Sequence, residues 1–376
     1  MSEYLFYCRT GYEADLLAEL EHKLGQRGHY GFANFKRDSA VLRYQMVSAN
    51  SHGKKVLARA PGMIDLRDLI FARQKCLVLQ ELVFVDIQDR VSELLDALVA
   101  LELAGESFGD IRVEHADTED GKTMAKFCKK FTVPLRSALR KHKILTKVAS
   151  PSLPYLHVFF DHGSACLLAV SFSKDRSEEL LGVRRLKFPA EAPSRSTLKL
   201  EEAIQSFCTP EQQRELFAAG MSAVDLGACP GGWTYQLVSR GIHTEAIDNG
   251  AMDEALMQTG LVDYRAVDGF SYQPKDGHVD WLVCDMIEKP DRVATLMADW
   301  LLKGLASAAI FNLKLPMKKR YQTLMPLIEM FELRLHSNEE SVLMTAKHLY
   351  HNRDEVTFMI IKNSQMRASF VSQQGL

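Results

Sequence analysis

A chain of 376 residues is long enough for two or more domains, each with its own core. Hydrophobic residues make up 47% and charged residues 25%, which fits a soluble globular protein and excludes a disordered or membrane-embedded one. The net charge of −2 does not announce a nucleic-acid binder, but it leaves room for local basic patches.

Residues 1–66 read as a small α+β unit. Residues 4–7 form a strand, and Leu16, Leu17, Leu20 and Leu24 mark a helix that Gly25 is expected to stop. Residues 32–35 and 41–46 read as a hairpin. Residues 67–174 read as a second α+β unit. Its strands are expected at 76–86, 111–115, 156–161 and 165–172, with a helix at 91–103.

Within that unit, residues 126–147 hold eight lysines and arginines and no acid. Thr132 and Pro134 are expected to open a helix there. Arg136, Arg140, Lys143 and Lys147 would form its basic stripe. Leu135, Ala138, Leu139, His142 and Leu145 would form a separate, mostly apolar one. A buried apolar face with a basic outer face suits a phosphate backbone, although a solvated helix face is the plainer alternative.

Residues 175–193 are charged, contain two prolines and read as a linker. From residue 194 to 376 strands alternate with helices. The strands are expected at 222–226, 245–248, 279–285, 308–313 and 356–361, with a helix at 291–302 and a tail over roughly the last dozen residues. The rhythm predicts an α/β fold with a mostly parallel, doubly wound sheet, whose ligands bind at the carboxyl ends of the strands. A second basic run, Lys318, Lys319 and Arg320, follows the strand at 308–313, on that ligand side.

The densest signal lies at 224–234, Val-Asp-Leu-Gly-Ala-Cys-Pro-Gly-Gly-Trp-Thr. Asp225 sits near the end of a strand, and Gly227, Gly231 and Gly232 mark a turn whose backbone must pass close to a ligand. The spacing does not fit the Gly-x-Gly-x-x-Gly turn that holds a pyrophosphate, and Pro230 removes an amide donor. A cofactor without phosphates fits better, and S-adenosylmethionine is one. Asp248 lies about 20 residues past the glycines, where an acid holds ribose hydroxyls. Asp268 is a candidate for the adenine amine, although an Asp-Gly pair is often only a turn.

Four charged residues at separated positions form a candidate reacting group: Lys199, Asp285, Lys314 and Glu355. Asp285 and Lys314 fall at expected strand ends. Lys199 falls in the first turn of a helix, where a cation opposes the dipole. Removing the proton of a ribose hydroxyl at neutral pH needs a general base, and a lysine beside other positive charge can serve. Each lysine alone would more often be a surface ion pair.

These segments resemble the ribose 2′-O-methyltransferases with a Lys-Asp-Lys-Glu tetrad. Within them the chain resembles the bacterial large-subunit ribosomal RNA methyltransferase M family. The residues that carry the resemblance are 192–202, 225–234, 284–286 and 311–320. It implies a Rossmann-like class I methyltransferase domain, preceded by a ferredoxin-like unit and a THUMP RNA-binding domain. It implies cofactor contacts at Ser196, Cys229, Pro230, Gly231, Gly232, Asp248, Asp268 and Asp285, with Asp225, Gly227 and Trp233 in the same segment, and Lys314 as proton acceptor. The implied substrate is a cytidine in the peptidyl-transferase loop of 23S ribosomal RNA, as free RNA or a precursor particle.

Other readings are weaker. A base N-methyltransferase would carry Asn/Asp-Pro-Pro-aromatic where this chain has Asp285-Met286-Ile287-Glu288. Cys229 and Cys284 are better read as small buried residues than as the nucleophile of a C5-cytosine enzyme. Ser196-x-x-Lys199 lacks the companion elements of a β-lactamase. A non-catalytic RNA-binding or assembly protein would not need all four tetrad residues. The seven cysteines contain no Cys-x-x-Cys pair, so neither zinc nor disulfides are expected, and the thiols suit a cytoplasmic protein. No segment has the length or pattern of a membrane span or signal peptide.

Overall fold

A continuous buried run, Tyr4 to Tyr7, suits the N-terminal strand β1 (Ser2–Tyr7) to the interior of a sheet. The computed structural model describes residues 2–47, 63–101, 103, 107–335, 342–362, 364, 366 and 368. It divides into two compact units, Met1–Arg184 and Arg185–Leu376.

In the first unit, β1 is followed by α1 (Glu13–Gln26), β2 (Tyr30–Asn34), β3 (Val41–Val47) and β4 (Gln74–Val83). Then come α2 (Arg90–Ala100), β5 (Asp110–His115), α3 (Glu119–Lys141), β6 (Tyr155–His162) and β7 (Ala165–Ser171). The strands form one sheet in the order β2-β3-β1-β4-β7-β6-β5. Because β1 pairs antiparallel with both β3 and β4, this sheet runs through the boundary expected at residue 66. A buried carboxylate ties its layers together. Glu114 accepts from the Tyr7 hydroxyl and the Leu181 amide, both at 2.8 Å, and pairs with His157 at 2.8 Å.

Three expectations are corrected here. Helix α1 runs through Gly25 to Gln26, and the chain turns at Gly28, where the His29 amide bonds back to the Leu24 carbonyl at 2.9 Å. A glycine inside a helix costs only about 1 kcal/mol against alanine, too little to stop one held by Leu16, Leu20 and Leu24. Helix α3 starts at Glu119, capped by Thr118, whose hydroxyl accepts the Gly121 amide at 2.9 Å. Pro134 therefore lies inside it, and Lys143 and Lys147 lie beyond its end. The carbonyl that Pro134 leaves without a donor belongs to the exposed Lys130, where water can serve it. The linker read over 175–193 is also divided. Asp175 is buried, accepts the Leu66 amide at 2.7 Å and pairs with Lys75, so residues up to Arg184 belong to the first unit.

The second unit contains α4 (Thr197–Phe207), α5 (Pro210–Leu216), β8 (Ser222–Leu226), α6 (Gly232–Val238), β9 (His243–Ile247), α7 (Glu254–Gln258) and β10 (Val262–Arg265). It continues with β11 (Val279–Cys284), α8 (Pro290–Leu302), β12 (Ala306–Lys314), α9 (Arg320–Leu335), β13 (Leu343–Lys347) and β14 (Glu355–Ile361). The sheet order is β10-β9-β8-β11-β12-β14-β13. The first five strands are parallel, and β14 runs antiparallel between β12 and β13. This is the mostly parallel Rossmann-like sheet expected.

Strands β11 and β12 carry the apolar runs Trp281–Cys284 and Ala308–Phe311, as expected where helices cover both faces of such a sheet. Trp281 anchors the core, stacked on Phe217 at 4.4 Å with its indole N–H on the Leu216 carbonyl. Strand order reverses between β8 and β11, which opens a crevice at their carboxyl ends. The tail expected at the end lies mostly outside the described residues, but Met366 is buried against this core.

Candidate active site

The glycine turn leaves β8 directly into that crevice. Gly227 has φ +79° and Gly231 has φ +116°, conformations that disfavour a side chain. A Cβ at Gly227 would stand 2.6 Å from Met286, and one at Gly231 would stand 2.3 Å from Leu256. A Cβ at Gly232 would stand 2.0 Å from the Ser196 hydroxyl, so the starts of α4 and α6 are pressed together. Asp248 holds the turn from the end of β9. One oxygen accepts the Cys229 amide at 2.9 Å and the other accepts the Gly250 amide at 3.0 Å. Each oxygen keeps capacity for a further donor.

Asp225 and Trp233 are placed differently from the other residues of this segment. Asp225 is fully buried, with the Thr234 hydroxyl donating to it at 2.7 Å. Burial pushes its carboxyl up to about 7, against the Thr234 bond and with the nearby Asp285 and Asp248 charges adding to the shift. The Trp233 ring lies in the core, so only its backbone belongs to the turn. Both support the loop from beneath. Asp268 is exposed and caps its own turn through the Phe270 amide at 3.0 Å.

The four charged residues meet at one point. Asp285 follows β11, and its Oδ1 lies 2.6 Å from Lys314 Nζ at the end of β12. Lys199 Nζ, from α4, lies 3.1 Å from Asp285 Oδ2 and 2.5 Å from Glu355 Oε1. Glu355 opens β14 directly opposite Lys314 in the register, with Oε1 at 3.9 Å from Lys314 Nζ. Burial opposes the Lys199 charge, but Asp285 and Glu355 outweigh it and raise its pKa above the ordinary lysine value. Burial likewise opposes the Asp285 charge, and the two ammonium groups and Asn312 more than offset it, holding the carboxyl below the ordinary aspartate range.

Several residues that sequence reasoning missed hold this cluster in place. Asn312 donates to Asp285 Oδ1 at 2.9 Å and accepts from the Thr357 hydroxyl at 2.6 Å. The Thr357 oxygen in turn accepts from the Asn352 amide at 2.9 Å. Asn312 and Lys314 are two apart on one strand and share a face, a signal the sequence did carry. Glu202 on α4 is buried and accepts the Tyr350 and His351 amides at 2.8 and 2.7 Å, fixing the turn before β14. Cys284 is buried, and burial pushes its thiol up to about 12; Cys229 is only half-buried, and its thiol is pushed up to about 11, so both favour the neutral thiol. Among the described residues no group of three or more His, Cys, Asp or Glu is placed to hold a metal ion.

The basic residues divide. Arg136 is committed to an ion pair with Asp110 at 2.5 Å. Arg140 is exposed and donates from Nε to the Thr146 carbonyl at 3.2 Å. Lys143 and Lys147 are exposed in the segment after α3. Lys126, Lys129 and Lys130 are exposed on α3, and their spacing of three and four, with Arg140 fourteen on from Lys126, places them on one face. Lys318 and Lys319 are exposed beyond β12, and Arg320 lies 3.5 Å from Asp354.

A Rossmann-type sheet, a glycine turn at its switch point and a charged cluster at the adjoining strand ends define a methyltransferase. Residues 192–321 match the family model of FtsJ-like methyltransferases. Residues 1–76 match the RlmM ferredoxin-like domain, and residues 89–172 match the N-terminal model of ribosomal RNA large subunit methyltransferase M. The ribosomal RNA large subunit methyltransferase M of Alteromonas mediterranea is 48% identical over 361 residues, covering 96% of this chain and 98% of that one. The protein of that name from Proteus mirabilis is 46% identical over 360 residues, covering 96% of each chain. This chain belongs to the ribosomal RNA large subunit methyltransferase M family.

Proposed function

We propose that the chain transfers a methyl group from S-adenosylmethionine to the ribose 2′-hydroxyl of a cytidine in the peptidyl-transferase loop of 23S ribosomal RNA. The reading rests on one observation above all: Lys199, Lys314 and Glu355 converge with Asp285 beside the glycine turn. The relatives' shared name supports a large-subunit ribosomal RNA substrate.

The residues present fit the cofactor. The carboxylates around the crevice, Asp248, Asp268 and Asp285, suit a ligand with an amine, ribose hydroxyls and a positive sulfur, and disfavour a polyphosphate. Gly227, Gly231, Gly232 and Ser196 would line its path, Asp248 would take its ribose, and Asp268 its adenine amine. When bound, it supplies a methyl group on a positively charged sulfur, open to in-line displacement.

The chain's own residues then handle the acceptor. Lys199 has the tight contact with Glu355, whereas Lys314 stands 3.9 Å from it. Lys199 is therefore the charged, orienting member of the pair. Lys314 is the member that gives up its own proton before the transfer and then accepts that of the hydroxyl, held in place by Asp285 at 2.6 Å. Holding the hydroxyl in line accounts for much of the remaining acceleration. The first unit, with its ferredoxin-like and THUMP-like parts, presents the α3 lysines to the RNA backbone, and the enzyme works in the cytoplasm.

The test is methyl transfer from labelled S-adenosylmethionine into protein-free 23S RNA, followed by nuclease digestion and nucleoside analysis. A 2′-O-methylated cytidine is the expected product. A methyl on a base would overturn the role given to Lys314.

A further inference from the structure

Two of the most exposed large apolar side chains of the second unit flank the charged cluster. Ile287 is 93% exposed and Met317 is 80% exposed. Single exposed apolar residues are ordinary on a protein surface. These two are paired by the fold. Ile287 stands two residues past Asp285, on the loop leaving β11. Met317 stands three residues past Lys314, on the loop leaving β12. The two strands are hydrogen-bonded parallel neighbours, with Cys284 opposite Phe311. Both loops therefore leave the carboxyl end of the sheet side by side, and the exposed Lys318 and Lys319 come next along the chain.

Along the chain past each strand end, the order is thus a member of the charged cluster, an exposed apolar residue and, after β12, cations. A nucleotide has the same three parts in a ribose hydroxyl, a flat base and a phosphate. An acceptor hydroxyl reaching Lys314 requires its nucleotide to leave any stack it occupies. The freed base then needs apolar surface to replace its neighbours.

We propose that Ile287 and Met317 bracket the splayed-out base of the acceptor nucleotide, while Lys318 and Lys319 take an adjoining phosphate. This rests on the ribose-methylation reading above. It adds a base-binding subsite to that reading. The contact is with the face of the base, so it grips the nucleotide without reading its hydrogen-bonding edge.

The test uses the full chain and an RNA fragment carrying a fluorescent cytidine analogue at the mapped acceptor position. Binding is followed by anisotropy and base environment by emission. The wild-type protein should change the emission on binding. Ile287→Ser/Met317→Ser should bind the RNA but leave the emission as in free RNA. It should also lose about tenfold or more in kcat/KM on unlabelled RNA, with cofactor affinity unchanged. Met317→Phe, which restores a flat apolar surface, should keep the emission change. Equal emission changes in wild type and double variant would overturn the subsite, as would an unaltered kcat/KM. A loss of self-association in the double variant would instead mark these side chains as an interface between copies of the chain, and would also overturn it. A wild-type protein that methylates a base, or no RNA at all, would refute ribose methylation itself, a separate result read from the nucleoside analysis.

Discussion

Asn312 gives the sharpest test of how the cluster is held. Its side chain is wholly buried and makes two hydrogen bonds, to Asp285 at 2.9 Å and from Thr357 at 2.6 Å. Asn312→Ala strips Asp285 of one donor and leaves the buried Thr357 hydroxyl without its acceptor. An unsatisfied buried polar group costs about 1–3 kcal/mol, and the lost bond to a charged carboxylate adds about 1.5 kcal/mol. A total near 3 kcal/mol corresponds to roughly 6–12 °C in the melting temperature of a unit this size.

The more discriminating effect is on pH. A hydrogen bond to the charged form of a carboxyl lowers its pKa, so removing Asn312 raises that of Asp285. With Lys314 as the base, activity already falls as pH drops, and protonation of Asp285 adds a second, steeper limb at lower pH; in Asn312→Ala that second limb begins at higher pH. Asn312→Asp keeps the shape but sets a second carboxyl against Asp285, and the limb should move further. The assay is single-turnover methylation across pH, beside chemical unfolding. If Asn312→Ala is less stable but its pH profile superimposes on wild type after scaling, Asn312 only packs and the positioning argument fails.

Other substitutions separate the remaining roles. Lys314→Ala should lower the methylation rate by about 10²–10⁴ while calorimetry finds cofactor affinity largely intact; retained activity would remove it as the base. Arg140→Glu with Lys143→Glu should weaken RNA binding and flatten its salt dependence by about one unit of slope for each phosphate no longer neutralised, whereas Arg136→Ala should lower stability and leave that slope alone. Asp225 binds a proton in the folded state that the unfolded chain releases, between pH about 4 and about 7. Its contribution to stability therefore falls as pH rises through that window, by on the order of 4 kcal/mol at most, and Asp225→Asn should flatten this part of a stability–pH curve.

Asp285 and Lys314 could be picked out before any coordinates because each one ends an apolar run. Lys314 after Phe311-Asn312-Leu313 and Asp285 after Val283-Cys284 stand where a strand must stop and a ligand can reach. Asn312 shares a strand face with Lys314, which places it near the cluster without naming its partners, and Glu202 carries no such mark. Each is buried inside a regular element, and its partner is set by which strand or turn arrives beside it from far along the chain. Helix α3 departs from its sequence pattern for a related reason. Pro134 is a strong local signal for a helix start, but Thr118 already caps one sixteen residues earlier, and the packing of Leu135 and Leu139 carries the helix through. Arg136 fits the periodicity of a basic stripe, and only the position of Asp110 on β5 shows that its charge is already used.

The antiparallel placement of β14 has a consequence for how the site divides along the chain. Glu355 meets Lys199 only after the last described strand has slotted between β12 and β13. The glycine turn and Asp248, by contrast, belong to β8, α6 and β9, which emerge much earlier. The cofactor crevice and the charged cluster therefore draw on different stretches of the chain, and only the cluster depends on the closing strand. The charged cluster is thus closed by the strand that lies farthest along the described chain, so a truncation ahead of β14 removes Glu355 while sparing the glycine turn.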